Sequence, residues 1–380
     1  MHFSTTVNIF SLVATAVSAT SHISRSNSSA GEVAVYWGQN GGNTVENNDL
    51  SSYCAPDSGV DIIILSFLYE YGNSNSIPSG TIGQSCSISL KGEPSNCDDL
   101  ASAIETCKSH GVKIILSLGG GSGAYSLQSQ AEAEAIGQNL WDAYGNTSQG
   151  NIPRPFGKTF VDGWDFDIEK PEGSQYYQYL ISVLRSNFAS DPSHVYYISG
   201  APQCPLNEPY MRQAIQEAVF DYLWVQFYNN DDCSHPNPIN YNDWVDLITT
   251  GSSAAAKVFI GVPASTKGAN GKISGEKYYM SPSDLAITVT KYTMNSHWGG
   301  IMLWDAGFSD ANVIGGCTYA QQSKNILNKG SPCSGSGTGT TVTNAPSRTS
   351  SLNSTSFVTG PFISQWGQVS VLFSQVPTNS

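Results

Sequence analysis

Eight short apolar runs rich in β-forming residues recur along this chain, and helix-length segments lie between most of them. The runs fall at Val33 to Trp37, Ile62 to Leu68, Val112 to Leu118, Val161 to Ile168, Val195 to Ser199, Tyr222 to Tyr228, Val258 to Val262 and Gly300 to Trp304. The periodicity between them predicts helices over Cys97 to His110, Gln130 to Tyr144, Gly173 to Phe188, Glu208 to Phe220, Asp243 to Thr250 and Pro282 to Met294, with Tyr319 to Leu327 after the last run. Strands that alternate with helices pair in parallel, because each crossover needs a long connection. Eight such units predict an α/β fold of the closed (β/α)8 TIM-barrel type, which needs ~250 residues or more. An open doubly wound sheet would carry a Gly-x-Gly-x-x-Gly turn after its first strand. Here that segment reads Gly38-Gln39-Asn40-Gly41-Gly42-Asn43, without the required spacing.

Outside these units the composition changes. Residues 1–19 have the order of a secretory signal peptide, with an apolar stretch from Val7 to Val17 and small residues at Ser18-Ala19, although His2 is the sole basic group ahead of it. Residues 20–31 form a polar lead without apolar period, residues 32–330 the barrel, and residues 331–380 a flexible Ser/Thr/Gly-rich stalk with a short tail, expected to be disordered. Eight cysteines without a Cys-x-x-Cys pair favour disulfides over a zinc site and point to an oxidising, extracellular setting. Sequons at Asn27, Asn146 and Asn353 fit the same route. With 30 Asp+Glu against 17 Lys+Arg, an electrostatic grip on nucleic acid or anionic lipid is disfavoured, and no stretch after the signal is apolar enough to span a membrane. A neutral substrate fits better, and 19 Tyr and 8 Trp suit surfaces that stack on sugar rings.

The fourth run carries the chemistry. Asp162-Gly163-Trp164-Asp165-Phe166-Asp167-Ile168-Glu169 puts Asp165, Asp167 and Glu169 on one face of a strand and Trp164, Phe166 and Ile168 on the other. A calcium loop would need Gly at its sixth position and small or polar spacers, whereas Lys170 stands there and the spacers are Phe166 and Ile168. No metal and no cofactor are called for. A solvated edge strand is the other bland alternative, and it conflicts with the strongly apolar runs on either side. In a barrel the acids point inward, and the strand's C-terminal end opens on the active-site face. Glu169 then stands at the mouth and Asp167 one inward step deeper. Desolvation and repulsion within the column hold a proton there, which makes Glu169 a general acid.

The pattern Asp162-x-x-Asp165-x-Asp167-x-Glu169 resembles the signature of glycoside hydrolase family 18. Further pieces resemble its plant- and fungal-type (class III) chitinases: Tyr36-Trp37-Gly38-Gln39-Asn40, Ser117-Leu118-Gly119-Gly120-Gly121, Ala201-Pro202-Gln203-Cys204-Pro205, Trp224-Val225-Gln226-Phe227-Tyr228-Asn229-Asn230 and Met302-Leu303-Trp304. The resemblance runs from about Val33 to about Leu327. It implies a secreted endochitinase that cleaves β-1,4 bonds between N-acetylglucosamine units with retention, the nucleophile being the substrate's own acetamido oxygen. By the same resemblance Glu169 is the acid and base, Asp167 holds the acetamide, Asp165 shares a proton with Asp167, and Tyr228 donates to the acetamide with help from Gln226. Trp304 would form the apolar floor under the sugar, while Tyr36, Gln39 and Phe67 would line the cleft.

The resemblance also implies disulfides Cys54–Cys107, Cys86–Cys97 and Cys204–Cys233, and leaves Cys317 and Cys333 to pair and tie the stalk to the barrel. Cis peptides at Ser66-Phe67 and Trp304-Asp305 are implied likewise. The expected partner is chitin or its oligosaccharides, acted on by a monomer that is extracellular and associated with a cell wall. Two alternatives stay open: an endo-β-N-acetylglucosaminidase on the chitobiose cores of N-glycans, and a non-catalytic chitin-binding lectin or inhibitor on the same barrel.

Overall fold

In a computed structural model, residues 30–39, 41 and 49–334 are described. The signal, most of the polar lead, the stalk and tail beyond residue 334, and the sequons at Asn27 and Asn353 lie outside them. The described residues belong to one compact unit. Its centre is a closed parallel barrel of strands Glu32–Trp37, Ile62–Gly72, Lys113–Gly119, Gly163–Asp167, Tyr197–Gly200, Tyr222–Gln226, Lys257–Pro263 and Trp298–Trp304. Each strand pairs with the next in parallel, and the first closes on the last through Ala34↔Met302 and on the second through Ala34↔Ile62.

Alternation along the strands separates two apolar regions. Ala34, Tyr36, Ile62, Ile64, Ile115, Trp224, Phe259 and Met302 fill the barrel interior. Val33, Val35, Ile63, Leu116, Trp164, Phe166 and Val225 face the surrounding helices. Those helices are Asp98–Ser109, Gln130–Tyr144, Tyr177–Phe188, Arg212–Glu217, Tyr241–Thr249, Pro282–Thr290 and Tyr319–Lys329, with a short Ala306–Ala311 helix after the last strand. Local chemistry sets their ends. Ser129 and Ser281 cap the second and sixth helices, and Thr318 with Gln321 forms a capping box at the last, which Gly330 ends in the left-handed region.

The structure departs from the expected boundaries at several points. The helix predicted over Glu208 to Phe220 is confined to Arg212–Glu217. The Glu208 carboxylate accepts the amides of Tyr210, Met211 and Arg212, and this turn stands where the first helical turn was expected. The fourth strand ends at Asp167 rather than Ile168, and the sixth at Gln226 rather than Tyr228. The second strand overruns the barrel to Gly72 and turns into an antiparallel ribbon of Asn75–Ile82, Cys86–Ile88 and Pro94–Ser95. Its overhang also pairs in parallel with Ala124–Ser126. The pattern predicts neither addition. All four implied disulfides are present: Cys54–Cys107, Cys86–Cys97, Cys204–Cys233 and Cys317–Cys333. The cis peptides at Ser66-Phe67 and Trp304-Asp305 are present too, with a third at His235-Pro236. No helix among the described residues is long and apolar enough to cross a membrane.

Candidate active site

The fourth strand delivers its acids in order of depth. Asp165 is fully buried, Asp167 is 3% exposed, and Glu169, beyond the strand's last residue, is partly open to solvent. Asp162 belongs to the opposite end. It accepts the Ile114 amide at 2.8 Å and meets His194 Nε2 at 2.9 Å and Lys108 Nζ at 3.4 Å, so the first acid of the pattern pins the barrel floor.

Asp165 is the best-satisfied carboxylate of the column. Ser199 Oγ (2.7 Å) and Trp224 Nε1 (2.8 Å) donate to Oδ1, and Tyr36 Oη (2.8 Å) and Ser117 Oγ (2.6 Å) donate to Oδ2. Burial raises its pKa, while those four donors pull it down by favouring the charged form. Asp167 has weaker support, one bond of 3.2 Å from Gln226 Nε2, which also donates to the Ala201 carbonyl at 2.9 Å. Burial first, then the charges of Glu169 and Asp165, push its carboxyl well above the usual range. Burial alone lifts Glu169 to about 6. The whole column therefore holds protons more tightly than free carboxyls do, and the four donors offset part of that rise at Asp165.

Residues from other strands close around these acids. Tyr228 follows the sixth strand, is 5% exposed and packs with Ala269, Tyr278 and Trp304. Burial, then the nearby Asp167, Glu169 and Asp305 carboxylates, keep its phenol protonated. Trp304 is partly exposed; its ring lies 6.1 Å from Phe67 at an interplanar angle of 22° and 5.5 Å from Tyr36. Tyr36 and Phe67 are buried, with Tyr36 committed to Asp165. Gln39 is exposed, and its amide donates to the Ser66 carbonyl at 3.1 Å.

The turn after the third strand shapes the floor beside Glu169. Gly119 and Gly120 have φ of +109° and +83°, and a Cβ on Gly119 would stand 2.2 Å from the Asp167 carbonyl oxygen. Gly120 N donates to that oxygen at 2.7 Å, so the close approach is itself a hydrogen-bonded joint.

The structure thus brings Asp165, Asp167, Glu169, Tyr228, Gln226, Tyr36, Phe67 and Trp304 to one end of the barrel. Sequence reasoning quoted Ser117 and Trp224 inside motifs without giving them a task, and it passed over Ser199. Ser117 and Ser199 lie inward on the two strands that flank the fourth, Trp224 lies inward on the sixth, and all three meet at Asp165. Strand register accounts for the two serines, since Ser117↔Asp165 and Asp165↔Ser199 are direct cross-strand pairs.

Known proteins resemble this chain in sequence and in fold. Endochitinase 2 of Metarhizium robertsii is 58% identical over 312 residues, covering 80% of this chain and 74% of that protein. The solved chitinase ICChI from Ipomoea carnea superposes with a TM-score of 0.62 at 32% identity, over 78% of this chain and 99% of its own. A xylanase and alpha-amylase inhibitor protein, XAIP-II from Scadoxus multiflorus, has a TM-score of 0.60 at 29% identity, over 78% of this chain and 98% of its own. The family description "Glycosyl hydrolases family 18" matches residues 32–283. With the acid column, its barrel and a 58% identical relative all in agreement, the chain belongs to glycosyl hydrolase family 18.

Proposed function

We propose that this protein is a secreted endochitinase that hydrolyses β-1,4 bonds between N-acetylglucosamine units with retention. The observation that carries the reading is the graded column, in which Glu169 alone combines a carboxyl lifted to about 6 with access to the mouth. A carboxyl near that value is an effective proton donor below it and a base once it has given its proton up.

The reaction follows from the positions. A sugar seated over Trp304 presents its glycosidic oxygen to Glu169. The Glu169 proton passes to that oxygen while the substrate's acetamide oxygen attacks the anomeric carbon from the opposite face. The glycosidic bond breaks with its electron pair going to the protonated leaving oxygen, and an oxazolinium ion forms. Asp167 accepts from the acetamide N–H and offsets the positive charge, and the Tyr228 hydroxyl, with Gln226 behind it, steadies the acetamide. Asp165 shares a proton with Asp167 and takes it over as the positive charge develops, which leaves Asp167 as the anion beside the oxazolinium ion. Water then attacks the anomeric carbon and gives a proton to Glu169, while the bond from that carbon to the acetamide oxygen breaks with its electron pair returning to the acetamide; the acid is restored with two inversions and net retention.

The glycan-core reading has no observation in its favour, and the lectin or inhibitor reading has only likeness of fold. The inhibitor relative shares the barrel, but Glu169, Asp167 and Tyr228 are all kept in this chain. Secretion is supported by the N-terminal apolar stretch and four disulfides. Incubation with chitin oligosaccharides and with a high-mannose glycoprotein separates the readings. Cleavage of the first, with the β-anomer formed initially, is the expected result. Cleavage of the glycoprotein alone, or of neither, refutes the proposal.

A further inference from the structure

We infer that Tyr125 is the positioning residue for Glu169, its phenol oxygen standing in for the sheet partner that the chain loses once the fourth strand has ended. The inference rests on the reading of Glu169 as the acid.

The ladder to the third strand finishes at Gly119↔Asp167, and the ladder to the fifth at Phe166↔Gly200. Glu169 lies two residues past the strand's end, so neither neighbour fixes its peptide. Its N–H donates instead to Tyr125 Oη at 2.9 Å, and that hydroxyl donates to the Gly120 carbonyl at 3.0 Å. One proton received and one given use the phenol fully, and they tie the acid's backbone to the glycine turn. The same turn runs beside the carboxyl, where a Cβ on Gly121 would stand in ordinary contact at 3.4 Å from Glu169 Oε1.

Tyr125 has its own frame. The overhang of the second strand pairs with its segment through Tyr71↔Tyr125, and the two rings stack 5.3 Å apart at 15°. Tyr71 Oη meets Tyr177 Oη at 2.8 Å, which joins the stack to the helix Tyr177–Phe188. Lys170, the residue after the acid, places its ammonium 5.1 Å from the Tyr125 ring centroid and bonds the Gly123 carbonyl. Tyr125 is 3% exposed, and burial holds its phenol protonated far above any working pH. The parts that form this frame are the overhang and the Ala124–Ser126 segment, which the barrel itself does not need.

A proton donor must sit within hydrogen-bond reach of the leaving oxygen, and a misplacement of about 1 Å costs on the order of 100-fold in rate. Losing the phenol frees the Glu169 peptide without touching substrate, so the loss should fall on proton donation rather than on binding. The test compares Y125F with the unmutated protein on chitotetraose and on the 2,4-dinitrophenyl glycoside of chitobiose, whose leaving group departs without a proton. The expected result is a fall in kcat of about tenfold on chitotetraose with KM within about twofold, and a change of under about twofold on the dinitrophenyl substrate. Turnover of the latter also reports an intact site. Y71F, which breaks the phenol–phenol bond and keeps the stack, should leave both rates near normal. Equal losses on both substrates, no loss on chitotetraose, or the same pattern in Y71F would each overturn the inference. E169Q in the same series separates the two claims: if it cleaves chitotetraose normally the reading of Glu169 fails, and if it is inactive while Y125F is normal only Tyr125 fails.

Discussion

Glu169→Gln should make the protein more stable, and only at high pH. The substitution keeps the shape of the side chain and removes a charge that the fold holds at a cost. Burial lifts the Glu169 carboxyl from the ordinary 4.5 to about 6. The native state therefore binds more protons than the unfolded chain between those values, and stability falls as pH rises through that window. The shift corresponds to about 2 kcal/mol once pH is above about 6, at 1.36 kcal/mol per pKa unit. Relief of Asp167, whose own carboxyl is pushed up partly by Glu169, adds to the gain with the same sign. Spread over the unfolding entropy of roughly 300 ordered residues, 2 kcal/mol raises Tm by about 3 °C. Urea unfolding at pH 4, 6 and 8 with disulfides intact measures it. The expected difference is near zero at pH 4 and at least about 2 kcal/mol in favour of E169Q at pH 8. A pH-independent difference, or a less stable variant at pH 8, would refute the electrostatic account of the column.

Three further expectations concern the supports around the acids. Ser117→Ala removes a 2.6 Å bond to the Asp165 carboxylate and should cost about 1.5–3 kcal/mol at pH 7. Because that bond favours the charged form, the cost should shrink as pH falls and Asp165 takes up a proton, which parallel unfolding curves at pH 7 and pH 3 will show. Gly119→Ala places a Cβ 2.2 Å from the Asp167 carbonyl oxygen at a φ of +109°, so it should destabilise by more than about 3 kcal/mol and abolish activity, read by thermal unfolding and chitin-oligosaccharide turnover. Removing the Cys204–Cys233 bridge, which closes a loop over a sequence separation of 29, should lower stability by about 3–4 kcal/mol in chemical unfolding of the double alanine variant.

The barrel and the order of its acids were legible in the sequence because both rest on period. Alternation puts Trp164 and Phe166 outward and Asp165 and Asp167 inward, and eight strand–helix units close a ring. What sequence reasoning missed depends on contacts between distant segments. The second strand's run continues past Leu68 through Tyr69, Glu70 and Tyr71, yet nothing local says that Tyr71 will meet Tyr125. Tyr125 itself sits in a Gly-Ser-Gly-Ala-Tyr-Ser stretch that reads as loop. The overlong helix from Glu208 has a different cause: the apolar spacing continues backward, but Pro209 lies inside that span, and the Glu208 carboxylate takes the amides just after it. The donors to Asp165 needed register, which a single sequence does not reveal.

The claim on which everything else stands is that Glu169 donates the proton that lets the sugar leave. Its most direct test is the pH dependence of kcat/KM for chitotetraose, measured from pH 4 to 9 with the unmutated protein and with E169Q. The account predicts a rate that falls tenfold per pH unit above an apparent pKa of about 6, and in E169Q a rate lower by about 100-fold or more at low pH with that limb gone. A profile flat to pH 9, or an E169Q variant that keeps both the rate and the limb, would contradict it.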